Sequence, residues 1–164
     1  MISESIGFVL SHLPVLLFIG AFALAFLLKQ PASFTERLFN WLLLLSVGVE
    51  TLWAGIFHVF FPKIAAQSIG WADSPFHFEI GVEDIAMGIV AILSFWRSLD
   101  FKAAVVGYIS LFYVGVAIGR VRDAVMAGNF APNNFGLLLV LTVIKAVLLP
   151  ILYLKVKGDQ RRTA

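Results

Sequence analysis

The sequence predicts an all-α fold: a polytopic bundle of five transmembrane helices forming a single membrane domain over residues 1–164. Three observations lead there. The chain is 60% hydrophobic and only 13% charged, and its mean hydropathy is +0.95. Soluble domains carry about 25% charged residues, so this chain has too little charge to coat a water-facing surface, and the same composition excludes disorder. Its apolar residues gather in five runs close to the ~20 residues that a spanning helix needs. The breaks between them hold the turn formers, and together with the tail after the fifth run they hold nine of the twelve Lys and Arg.

The first run, Gly7–Leu28, is followed by Lys29 and Pro31. Ahead of it Met1–Ile6 holds Glu4 and no Lys or Arg. A secretion signal needs a basic start and a shorter apolar core, so this run reads as a retained helix despite the small-x-small Ala23-Leu24-Ala25. The second run, Leu38–Phe61, stops at Pro62. The third, Phe76–Trp96, opens after Ser74-Pro75, where Ser74 is expected to cap and Pro75 to take the first helical position. The fourth, Ala103–Ala127, lies between Asp100 and Gly128, and the fifth, Phe135–Leu154, follows Asn133 and Asn134, its expected caps.

Orientation follows from charge, because Lys and Arg accumulate in cytoplasmic loops. The first connection holds Lys29 and Arg37, the third Arg97 and Lys102, and the tail Lys155, Lys157, Arg161 and Arg162. The second holds only Lys63 and the fourth none. The expected arrangement is N-terminus outside, C-terminus cytoplasmic.

With that topology each polar residue acquires a depth, at about 1.5 Å per helical residue. Glu50 and Lys145 fall at the midplane. Glu83 and Asp84 lie about a turn outward, Arg120 about 7 Å outward, and Arg122 and Asp123 beyond it. His12, His58, His77 and Glu79 occupy the outer parts of the first three spans. A charge near the bilayer centre costs at least about 2.5–3.5 kcal/mol, so each such group must face the bundle interior, an opposite charge or water. The crowding of these groups in the outer half predicts a polar, acidic cavity open to the outside above an apolar floor.

Helical phase sorts the groups by face. Glu79 and Glu83 share one face of the third span, while His77, Gly81, Asp84 and Gly88 share another. Tyr113, Arg120 and Asp123 project together from the fourth. Gly48, Gly55, Gly81, Gly88 and the Gly115-x-x-x-Gly119 pair are expected to allow close helix approach.

The residue types narrow the chemistry. Zero Cys removes thiolate metal sites and Cys nucleophiles. A formal charge of +2 is too small to argue for nucleic acid. Nucleophile-elbow, phosphate-loop and dinucleotide motifs are absent, so no catalytic residue is assigned. The candidate ligand or ion site comprises Glu50, Glu79, Glu83, Asp84, Arg120, Asp123 and Lys145. Glu50 and Lys145 form its midplane pair, and Arg120, with its planar fork, is suited to a carboxylate. His58 and His77 are the candidate metal ligands, since imidazole with carboxylate suits zinc, iron or manganese. The surplus of acid within the spans favours a cation, a metal or protons.

The segment Glu50-x-x-Trp53-x-Gly55 and the run Glu79-Ile80-Gly81-x-x-Asp84-x-Ala86-x-Gly88 make residues 48–96 resemble a family of small, uncharacterised prokaryotic membrane proteins. The resemblance implies a multi-span protein of the bacterial cytoplasmic membrane and supplies no activity. The expected partners are the lipid bilayer, a small solute, cation or proton, and further copies of the chain, because the chain is short for a transporter built from inverted repeats. The expected function is binding or transport of a small solute or ion, with coupling to protons as one form of it. An intramembrane enzyme or metal or cofactor protein using the same acids and histidines, and a structural subunit of a larger membrane complex, are the alternatives. The cofactor is left open.

Overall fold

The computed structural model describes the backbone of residues 2–29 and 31–163 and the side chains of 12–29 and 31–162. Glu4 therefore lies outside the described side chains. Among the described residues the chain is helical, with no strand. Helix α1 spans Ile2–Leu27, α2 Phe34–Trp41, a π-helical stretch Leu42–Val49, α3 Glu50–Phe60, α4 Pro62–Ser68, α5 Phe76–Ser94, α6 Leu99–Ala127 and α7 Leu137–Thr163. The second predicted run is thus one continuous rod of three windings, Phe34–Phe60. With α6 and α7 (taken as Leu137–Arg162), it makes three helices long and apolar enough to cross a membrane. The described part of α1, His12–Leu27, is a shorter apolar helix.

Helix ends move from the predicted bounds for local reasons. The second rod begins a turn early because Ser33 Oγ accepts the Glu36 N–H at 3.2 Å. Helix α6 also starts early, with Ser98 Oγ accepting from Phe101 N–H at 3.4 Å, and it ends at Gly128, whose φ of +66° suits glycine. Helix α7 continues about two turns past Leu154, carrying the basic tail as helix. Two expected caps are corrected. Ser74 makes no side-chain cap for α5, and its carbonyl instead accepts from His77 N–H at 3.1 Å. Asn134 turns its side chain to Asp123 and to the Asn129 carbonyl. The predicted loop after Pro62 contains α4, started by that proline at its first turn.

The core is apolar toward one end of the bundle. Phe39, Leu42, Leu43, Val47, Ile109 and Leu149 are all but inaccessible, joined by Ala21 and Ala25 from α1. Large apolar side chains also cover the outside: Leu111, Val125 and Met126 are each at least 74% exposed. An apolar coat around an apolar core suits lipid and not water.

Helices α3 and α5 approach most closely at glycine. A Cβ on Gly55 would sit 2.7 Å from the Gly81 carbonyl oxygen, and one on Gly88 2.6 Å from the Leu52 nitrogen. Gly48 is equally confined, against Ile92. Gly115 and Gly119 differ from expectation: nothing lies within 4 Å of a Cβ at either, so this pair faces outward.

Candidate functional site

The rod Phe34–Phe60 brings Glu50 to α7. Along Leu42–Val49 the backbone winds with the wider π period, and the Glu50 N–H donates to the Leu45 and Val47 carbonyls. In an α-helix it would take Ser46, four residues back. The Ser46 carbonyl instead accepts from Lys145 Nζ at 3.1 Å. Lys145 Nζ also donates to Glu50 Oε1 at 2.7 Å and lies 4.9 Å from the centre of the Tyr113 ring. Lys145 is 1% exposed and Glu50 9%. A wide turn in a helix thus supplies a third partner for a buried ammonium, a use to which π-bulges are often put at functional sites.

The pairing is incomplete on the acidic side. Glu50 Oε2, Tyr113 Oη, Ser46 Oγ and Ser110 Oγ are buried with no hydrogen-bond partner among the described residues. The Tyr113 hydroxyl stands in the electrostatic neighbourhood of Lys145, Glu50 and Thr51 without a bond of normal geometry. Asp84, also 9% exposed, makes no hydrogen bond and no ion pair among the described residues. It stands in the field of Glu83, Arg120 and Glu50. Arg120, in the field of Glu50, Tyr113 and Asp84, makes one long hydrogen bond, to Thr142 Oγ1 at 3.5 Å. Buried polar groups are almost always satisfied, so the unpartnered Glu50 Oε2 and Tyr113 Oη beside the buried ammonium are unusual.

Of the seven predicted ligand residues, Glu50 and Lys145 are in contact, and Asp84 and Arg120 stand in the field of Glu50. Glu83 lies half-buried at the edge, and Glu79 is exposed one turn further out. Asp123 belongs elsewhere. Its Oδ2 accepts from Trp71 Nε1 at 2.9 Å, Asn129 Nδ2 at 2.6 Å and Asn134 Nδ2 at 3.2 Å, and so fastens the two connections at that end of the bundle. Thr142 was not legible as a site residue, although it lies three positions before Lys145 and hence on the same face of α7.

His58 and His77 meet each other. Their rings stack at 5.2 Å with 9° between planes, and Nδ1 lies 3.1 Å from Nδ1. His77 Nε2 faces the Ala72 carbonyl at 3.4 Å, which places its hydrogen there and leaves its Nδ1 to accept from His58. Among the described residues no three His, Asp or Glu side chains are grouped to hold a metal ion.

Residues 7–162 match the model of a family of unknown function, DUF6790. The chain belongs to that family. The match takes in the stretch 48–96 and extends over nearly all of this DUF6790 chain. No curated protein and no solved structure matches it. The family, with the three long apolar helices, is consistent with a membrane protein and assigns no activity.

Proposed function

We propose that this DUF6790 protein is a single-domain, five-span protein of the bacterial cytoplasmic membrane that binds or transports a small ion or solute, linked to protons, at Glu50, Asp84, Arg120 and Lys145. In this reading α1 and α5 complete the set of spans, the N-terminus is outside and the basic end of α7 is cytoplasmic. Glu79 and Glu83 then line the approach from the outer side, with the His58–His77 pair beside it. The observation that supports it is the set of buried, unpartnered polar atoms around the Glu50–Lys145 pair. A packing device would have satisfied both carboxylate oxygens, because orphans in a low-dielectric interior are costly.

Two experiments test it. Ion flux into proteoliposomes of the full chain should be abolished by Glu50→Gln and by Lys145→Met when equal amounts of folded protein are reconstituted. Flux equal to wild type in both would leave the pair an architectural one, as in a structural subunit. Because the chain has no Cys, single cysteines at Ser74 and Arg161 give unambiguous topology. Labelling of Ser74→Cys from outside and of Arg161→Cys only after permeabilisation is expected. The reverse pattern would invert the approach side.

A further inference from the structure

Resting on that reading, we infer that the site takes one small carboxylate anion together with one proton, the proton carried by Asp84 and the anion held by Arg120. Glu50 and Lys145 neutralise one another in direct contact at 2.7 Å. The remaining charges in their field are Asp84, which is buried, and Arg120, which is half-buried; the two do not touch as an ion pair. Among the described residues Arg120 has most of its donors uncommitted, with a single long bond to Thr142. Its planar fork matches a carboxylate, and the Tyr113 hydroxyl, beside Lys145 and Thr51 with no hydrogen bond of normal geometry among the described residues, is a second donor in the same neighbourhood.

A second cation is a poor fit, because Lys145 already holds the cationic place between Glu50, the Ser46 carbonyl and the Tyr113 ring. An anion alone is also a poor fit while Asp84 is charged, since the two would repel at short range in a low dielectric. Adding a proton to Asp84 removes that repulsion and makes the carboxyl a donor as well as an acceptor. The charges facing Asp84 are Glu83 on its own helix, Glu50 on α3 and Arg120 on α6, and Lys145 on α7 is held by Glu50. Of these Glu83 is half-exposed, and the others are the site itself. Proton and anion therefore enter together, each lowering the cost of the other, which is a reciprocal coupling.

Acetate is the probe, titrated calorimetrically into the detergent-solubilised full chain in buffers of different ionisation enthalpy. Wild type should bind acetate with uptake of one proton, and affinity should fall about tenfold per pH unit once Asp84 is ionised. Asp84→Asn should bind with no proton uptake and no pH dependence, and Arg120→Gln should lose at least about tenfold in affinity. Proton uptake persisting in Asp84→Asn, or unchanged affinity in Arg120→Gln, would overturn the proposal. Should Asp84→Asn fail to fold, infrared difference spectra of wild type decide: acetate must increase a protonated-carboxyl carbonyl band, and no such change overturns it. A wild type that binds sodium or chloride but never acetate ends this inference and leaves the ion-binding reading standing. Binding of no ion at all ends both.

Discussion

Lys145 takes one oxygen of Glu50 at 2.7 Å and leaves the other, Oε2, buried with no partner among the described residues. A buried pair of this kind is costly to break and cheap to replace whole, because the expense lies in leaving one charge alone. Lys145→Met or Glu50→Gln alone should cost about 3–5 kcal/mol. The double variant should recover most of that loss, with the recovery read as the coupling term of a double-mutant cycle from thermal unfolding in detergent. Additive losses would mean that the two residues do not act as a unit.

The glycine contact between α3 and α5 admits no side chain. Gly55→Leu or Gly81→Val should sharply reduce the yield of folded protein, because overpacking a backbone contact costs about 1–3 kcal/mol or more. Gly115→Ala, by contrast, meets open space and should leave the monomer's unfolding temperature within a degree or two of wild type, or raise it slightly through helix propensity. Size-exclusion profiles and unfolding midpoints compare the three directly.

Asp123 holds Trp71, Asn129 and Asn134 on one oxygen. Asp123→Ala should release all three donors and cost about 1–3 kcal/mol. It should also change the tryptophan emission contributed by Trp71 and speed hydrogen exchange across residues 69–75 and 129–134. Acetate affinity should be unchanged, since Asp123 lies outside the core cluster. A selective loss of acetate binding would return this residue to the site.

His58→Phe keeps an aromatic ring against His77 but removes the Nδ1 donor, stranding an acceptor on a side chain that is 2% exposed. A loss of about 1–3 kcal/mol and faster exchange in the 61–75 connection are expected. His77→Phe should match it, because either change breaks the same bond. If either variant were silent, the stacking contact and not the hydrogen bond would be what joins these helix ends.

Much of this was legible in one dimension. Charge scarcity and run lengths predicted an all-helical protein with long apolar spans, since period and burial are local properties of composition. Depth counting also put Glu50 level with Lys145, and the phase of α5 put His77, Gly81, Asp84 and Gly88 on one face, three of which the structure seats directly against α3. Phase failed where a residue's partner depends on which helix stands opposite. Gly115 and Gly119 have the spacing of a contact and no contact. Asp123 shares a helix face with Arg120, yet the connections that fold over it supply Asn and Trp donors that no spacing reveals. The π winding was equally hidden, because Leu42–Val49 is an ordinary apolar run until the Ser46 carbonyl meets Lys145.

By itself the sequence determined which segments avoid water and which ionisable groups must hide within them, because transfer free energy is summed residue by residue along the chain. Only the tertiary structure decided which of those groups meet: Glu50 with Lys145, His58 with His77, Asp123 with Trp71, and Asp84 with none among the described residues. Pairing depends on distances of 3 Å or so between side chains of different helices, which the packing of the bundle sets and one-dimensional order does not.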